Sequence, residues 1–240
     1  MKKLEGKIAI VTGGGSGIGR GVALALAQEG SRLVVCGRRL EKIEATVQMI
    51  KQNGGEALAV QADVTEPEDV ERLVNSTLEH YGTIDILVNN AGVYEGTQIH
   101  ELSIEAWDKV MNTNLRAPFL LTRLVLPVMR AHRSGQIINI SSESGLEHYK
   151  IDGAYGTSKH ALNDFGEYIQ RENQEFNIKV NTICPGMVVT EMSENEPGLK
   201  LEKCLYPEDI ADLVLWLVTR RSNIKIGTPI LIQTMQNPWE

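Results

Sequence analysis

Thr12-Gly13-Gly14-Gly15-Ser16-Gly17-Ile18-Gly19 stands between two segments of opposite character. Before it, Lys7-Ile-Ala-Ile-Val-Thr12 is a short apolar run that reads as a buried strand. After it, Arg20 to Gln28 is rich in Ala and Leu and reads as a helix. A strand that turns through glycines into a helix aims unpaired N–H groups, and the positive end of the helix dipole, into the turn. Such a turn suits a phosphate. Side chains there would hold the backbone away from a pyrophosphate. Two other phosphate loops are excluded. G-x-G-x-x-G is not in register, and Arg20 and Gly21 stand where a P-loop needs Lys and Ser or Thr. By itself the stretch also fits a tight turn that holds no ligand.

Outward from the turn, β and α patterns alternate regularly. Arg32–Cys36 is a second strand, closed by Gly37-Arg38-Arg39. An acid at that strand end holds a ribose 2′-hydroxyl in NAD-binding sheets, whereas an arginine can receive the 2′-phosphate of NADP. Here Gly37 replaces the acid and Arg38 and Arg39 follow; two solvated arginines opening a helix is the other reading. Leu40–Gln52 is an amphipathic helix with Leu40, Ile43, Val47 and Ile50 on one face. Glu56–Gln61 is a third strand, and Thr65-x-x-Glu68 is a capping box for the next helix. Asp63 at the intervening turn reads equally well as a turn acid. Ile84–Val88 is a fourth strand, followed by Asn89-Asn90-Ala91-Gly92, small and amide residues that suit a crevice where backbone approaches a ligand.

Ser103 caps a long helix running towards Arg133, which Pro118 interrupts. A proline there removes the N–H that would pair with the Asn114 carbonyl. Gln136–Ile140 is a fifth strand ending in Ser141-Ser142, and a helix begins near Ala154. Lys179–Ile183 is a sixth, ending in Cys184-Pro185-Gly186. Residues 187–206 are polar and irregular and read as a substrate flap. Pro207 opens a last helix, and Pro229–Gln233 is a closing strand. No repeat or linker interrupts this order, so residues 1–240 read as a single domain. The expected fold is α/β: a doubly wound parallel sheet of about seven strands, Rossmann-type, with helices on both faces.

Charge and composition narrow the partners. The chain has 240 residues, a net charge of −7, and 42% hydrophobic content with 5% aromatics, so an aliphatic core is expected. The acidic balance argues against nucleic acid or an anionic membrane as the main partner. Met1–Gly6 has no apolar run behind its lysines, and reads as carrying no secretory signal. Cys36, Cys184 and Cys204 lack C-x-x-C spacing and read as reduced thiols of a cytoplasmic protein. The five histidines show no ligand spacing, so no metal is expected.

Tyr155 and Lys159 lie four apart on one helical face. A phenol near pKa 10 is a poor acid at neutrality, and a neighbouring cation lowers it by roughly 1–3 units. Ser142, at a strand end facing the same crevice, can hydrogen-bond a substrate oxygen. A tyrosine proton donor opposite a hydride donor is what carbonyl reduction needs.

Together, Thr12–Gly19, Asn89–Gly92, Asn114, Ser142, Tyr155-x-x-x-Lys159 and Pro185-Gly186 resemble the single-domain short-chain dehydrogenase/reductases in order and approximate spacing. The resemblance spans nearly the whole chain. It implies Ser142, Tyr155 and Lys159 as a catalytic triad, Asn114 as its fourth member, and a water relay between the Asn114 carbonyl and Lys159. It also implies NADP contacts from Gly13, Gly15, Ser16, Gly17, Ile18 and Gly19, and from Arg38 and Arg39. Asp63 and Val64 would meet the adenine, Asn90, Ala91 and Gly92 the crevice floor, and Lys159 the nicotinamide ribose, with Tyr155 also among the cofactor contacts. Pro185, Gly186, Val188 and Thr190 complete that set. A homodimer is expected through the helices bearing Leu115, Phe119, Leu162 and Phe165. The ending, Ile230 to Glu240, departs from the family's usual V-D-G-G-like run and leaves a tetramer in doubt. The expected activity is NADP-dependent alcohol–carbonyl interconversion, on a 3-oxoacyl thioester, 3-hydroxy acid, polyol or small ketone. A non-catalytic nucleotide-sensing or scaffold protein on the same fold is the alternative.

Overall fold

In the computed structural model, which describes residues 2–240, β1 (Ile8–Thr12) is buried at every position. It lies between β2 (Arg32–Gly37) and β4 (Ile86–Asn89), both parallel to it. β3 (Ala57–Gln61) pairs outside β2. On the other side follow β5 (Gly135–Ile140), β6 (Ile178–Pro185) and β7 (Ile230–Ile232). The seven strands form one parallel sheet in the order β3-β2-β1-β4-β5-β6-β7.

Alternate residues of each strand serve two cores, as the period of two requires. Ala9 and Val11 join α1 (Gly17–Gln28), α2 (Leu40–Gln52) and α7 (Pro207–Val218) on one face. Ile10 joins α3 (Pro67–Tyr81), α5 (Ala117–His132) and α6 (Gly153–Asn173) on the other. The chain winds outward from β1 to β3, then crosses back to β4. That reversal opens a crevice at the carboxyl ends of β1 and β4, where such sheets bind ligands.

Several local expectations are revised. α1 starts at Gly17, inside the glycine stretch rather than after it. The capping box at Thr65 does not form. Pro67 at the first helical position makes Glu66 the cap, and the Thr65 hydroxyl donates to Asp63 Oδ1 at 2.8 Å. Leu40, expected on the apolar face of α2, is exposed. Leu162 is fully buried in its own protomer's core, so it offers nothing to a dimer face.

The long helix splits into three parts. α4 (Ile104–Met111) is capped by Ser103, whose Oγ accepts from Ala106 N. A π turn, Asn112–Arg116, then precedes α5, with Ala117 N donating back to Asn112 O. The expected kink is thus a widened turn just ahead of the proline. Pro118 has no N–H for the Asn114 carbonyl in α register, nor for Thr113 in π register.

The segment 187–206 is closed at its base. Val188 and Leu205 form a bridge, with Leu205 N donating to Met187 O and Val189 N to Leu205 O. The tail returns beside it, Lys200 N donating to Pro238 O at 2.9 Å.

Candidate active site

The glycine turn holds its shape through β4. Thr12 Oγ1 donates to Val88 O at 3.2 Å and accepts from Asn90 N at 3.0 Å and Ala91 N at 3.1 Å. Asn90 Nδ2 donates to Thr12 O at 2.9 Å and Gly13 O at 3.3 Å. Gly13 and Gly17 have φ of 63° and 49°, a region that glycine enters at little cost. Ser16 is the N-cap of α1 but makes no side-chain capping bond. The first N–H groups of α1 therefore face the crevice without a helical partner. The turn is close-packed on its protein side: a Cβ on Gly15 or Gly19 would lie 2.9 Å from Lys42 Cβ or 2.4 Å from Gly13 O. Such a cradle of open amides fits a dinucleotide pyrophosphate.

At the end of β2, Arg38 and Arg39 are both exposed, and Arg39 Nη2 lies 3.3 Å from Ser16 Oγ. Arg38 Nη1 is 3.9 Å from Asp63 Oδ2. Asp63 Oδ1 is occupied within its own turn, accepting from Thr65 N and Oγ1, and Val64 is buried in the apolar core. Only one carboxylate oxygen of Asp63 is taken up in the turn; the other faces Arg38 at 3.9 Å, so this position keeps a polar group at the end of β3.

Ser142 follows β5, and Tyr155 and Lys159 lie on the first turns of α6. Ser142 and Tyr155 line one cleft of about 380 Å³, walled also by Pro185, Gly186 and Thr190, and Lys159 is buried beside the Tyr155 ring. Lys159 is only 4% exposed, its Nζ donating to Ile140 O at 2.9 Å and lying 5.5 Å from the Tyr155 ring centre. Tyr94, edge-on to Tyr155 at 5.2 Å, donates to Asp152 Oδ1 at 2.9 Å. Asn114 works through its side chain: Oδ1 accepts from Val93 N, while Nδ2 donates to Val93 O and Ser158 Oγ. Ser158 Oγ in turn donates to Tyr155 O at 2.7 Å. Asn114 therefore ties the loop after β4 to the helix turn that carries Tyr155.

Protonation differs from the sequence expectation. Burial pushes the Tyr155 phenol up to about 12, against the opposing effect of the Ser142 hydroxyl and with Asp152 and Glu143 adding to the rise. Burial also holds the neighbouring Lys159 ammonium down at about 8. An amine with a folded pKa below its unfolded value leaves the unfolded chain binding more protons between about pH 8 and 10.5. Stability then rises with pH across that window. In thermal unfolding, wild type should gain on Lys159→Met between pH 8 and 10. A gap that stays constant with pH would contradict a buried charge at Lys159.

Lys42, Glu191, Tyr94 and Glu143 border the site without having been singled out from the sequence. Lys42 could have been found, since Arg38-Arg39-x-x-Lys42 places two cations one helical turn apart; Glu191 had no local signal.

The family model for short chain dehydrogenases matches residues 7–198. An uncharacterized oxidoreductase of Listeria monocytogenes is 34% identical, over 98% of this chain and 99% of its own length. A 3-oxoacyl-[acyl-carrier-protein] reductase of Synechocystis sp. is 36% identical, over 91% and 92%. Among solved structures, a metagenomic short-chain oxidoreductase in complex with NADP superposes with a TM-score of 0.85 at 32% identity, over 98% of this chain and all of that one. An alcohol dehydrogenase from the archaeon Thermococcus sibiricus, complexed with 5-hydroxy-NADP, gives 0.89 at 26% identity, over 97% and 98%. With the cradle, the cleft and the sheet order agreeing, the chain belongs to the short-chain dehydrogenase family.

Proposed function

We propose that this oxidoreductase interconverts an alcohol and a ketone or aldehyde with NADP, using Tyr155 as general acid and base. The observation that carries the reading is that Ser142 and Tyr155 line one cleft with Ile18 of the glycine turn, while Lys159 lies 5.5 Å from the Tyr155 ring centre. Bound nicotinamide supplies the hydride. In the reducing direction the Tyr155 hydroxyl gives its proton to the carbonyl oxygen as charge develops there, and Ser142 Oγ donates a hydrogen bond to that oxygen. Lys159, 5.5 Å from the ring centre, stabilises the phenolate left behind. Asn114 positions the Tyr155 turn through Ser158. Gly13–Gly19 would hold the pyrophosphate, and Arg38 and Arg39 the 2′-phosphate.

Loss of NADPH absorbance with a panel of carbonyl compounds tests the activity, and no turnover with any of them would favour a nucleotide-sensing protein. We expect NADPH to be preferred over NADH by at least tenfold in kcat/KM, about 1.4 kcal/mol. Arg38→Asp should move the preference towards NADH, and equal kcat/KM for the two cofactors in low salt would refute the NADP reading. Within the panel, small neutral ketones should outpace keto acids. Half-buried Glu143 lines the cleft, and burial with Asp152 and Glu147 nearby already holds its carboxyl above the usual range.

The chain is read as one catalytic domain with a flap over residues 187–206, working in the cytoplasm as a homodimer. No helix among the described residues is long and apolar enough to cross a membrane. With Leu162 turned inward, exposed Phe119 and Tyr168 and half-buried Phe165, whose ring lies 6.3 Å from that of Phe119, are apolar groups on the α5–α6 face. A monomer mass in solution at micromolar concentration would overturn the dimer.

A further inference from the structure

Glu191, on the flap, reaches across the mouth of the cleft to α2. Its Oε2 accepts from Arg39 Nη2 at 2.7 Å, and its Oε1 from Lys42 Nζ at 3.0 Å. The backbone brings these groups together. Lys42 lies against Gly15, and Thr190, next to Glu191, packs over Gly17, where an added Cβ would stand 3.0 Å from Thr190 Cγ2. The two cations hold the Glu191 carboxyl down at about 2, so it is ionised throughout the neutral range. A guanidinium and an ammonium around one anion, beside a serine hydroxyl, are the donors a phosphate would use.

We propose that Lys42 belongs with Arg39 to the subsite for the cofactor's 2′-phosphate, and that Glu191 is a built-in competitor for it. Flap carboxylate and phosphate then exclude each other, and their competition sets how strongly the enzyme discriminates between NADP and NAD. This rests on the NADP reading above. A phosphate monoester brings roughly −1.5 to −2 charges at neutral pH, which cannot share the two cations with a carboxylate without like-charge repulsion. A cofactor without that phosphate leaves Glu191 in place, and the flap stays latched to α2. The ion pairs suit such an exchange, since their side chains are each about half exposed and screened by salt, so the latch is replaceable.

Calorimetric titration of adenosine 2′,5′-bisphosphate and of 5′-AMP, on wild type, Glu191→Gln, Lys42→Gln and Arg39→Gln, separates the possibilities. Glu191→Gln should bind the bisphosphate up to about fivefold more tightly in low salt, with 5′-AMP unchanged, and the gain should shrink as salt rises. Lys42→Gln should weaken the bisphosphate alone. If Arg39→Gln abolishes the preference for the bisphosphate while Glu191→Gln and Lys42→Gln change neither ligand, the proposal falls and the NADP reading stands. If wild type and every variant hold the two ligands equally, both fall.

Discussion

Replacing Tyr155 with Phe should lower kcat by about 10²- to 10⁴-fold, the range supplied by a positioned acid or base. The change removes one hydroxyl and keeps the ring, so its edge contact with Tyr94 at 5.2 Å and the fold of α6 persist. NADPH affinity should stay within about twofold, because the lost group serves the transition state and contributes little to ground-state binding. The phenol is held up at about 12 by burial, so it enters the reducing direction fully protonated at neutral pH. Steady-state kinetics beside direct cofactor titration check both halves. Wild-type kcat in the Phe variant would end the acid–base assignment, whereas an equal loss of binding and rate would recast Tyr155 as a cofactor ligand.

Gly19→Ala should damage the enzyme nearly as much by a different route. Gly19 is buried, and a Cβ there would stand 2.4 Å from both Gly13 O and Asn90 Nδ2. One of these neighbours is backbone, and the other is the amide that pins the turn to β4, so neither yields without opening the cradle. Forcing a methyl into such a site costs about 1–3 kcal/mol. In a chain of this length that lowers the melting temperature by roughly 2–4 °C per kcal/mol. Cofactor affinity should fall at least tenfold, about 1.4 kcal/mol, because the displaced backbone carries the N–H groups that would hold the pyrophosphate. Gly227→Ala is the control, since a Cβ there meets nothing within 4 Å. Equal melting temperatures and cofactor affinities for Gly19→Ala and wild type would show that the turn is not close-packed.

Glu191 bears on how such cofactor variants are read. With Arg39 already bonded to the flap, an Arg39 substitution removes both a phosphate donor and a latch partner. Arg38, whose nearest acid is 3.9 Å away, reports more directly on the 2′-phosphate.

The sequence by itself determined the architecture and the position of the crevice. Apolar runs alternating with amphipathic helices specify a parallel sheet covered on both faces, because each element must bury its apolar side. Glycines at Thr12–Gly19, with amide and small residues at Asn89–Gly92, mark where two strand ends approach one ligand. Tyr155 and Lys159 were legible as a pair because helical geometry alone places them on one face. Tertiary packing decided what these local patterns do not encode. Pro118 announced an interruption, but a missing N–H does not say whether the helix will kink or, as here, widen into a π turn over Asn112–Arg116. Leu162 looked available for a dimer until the fold turned it inward, since an apolar residue does not say which neighbour will cover it. The protonation of Lys159 and Tyr155 follows from how much water the assembled cleft excludes. Glu191 meets Arg39 across 152 positions of chain. No period or spacing forecasts that meeting, because it exists only once the flap has been laid over the glycine turn.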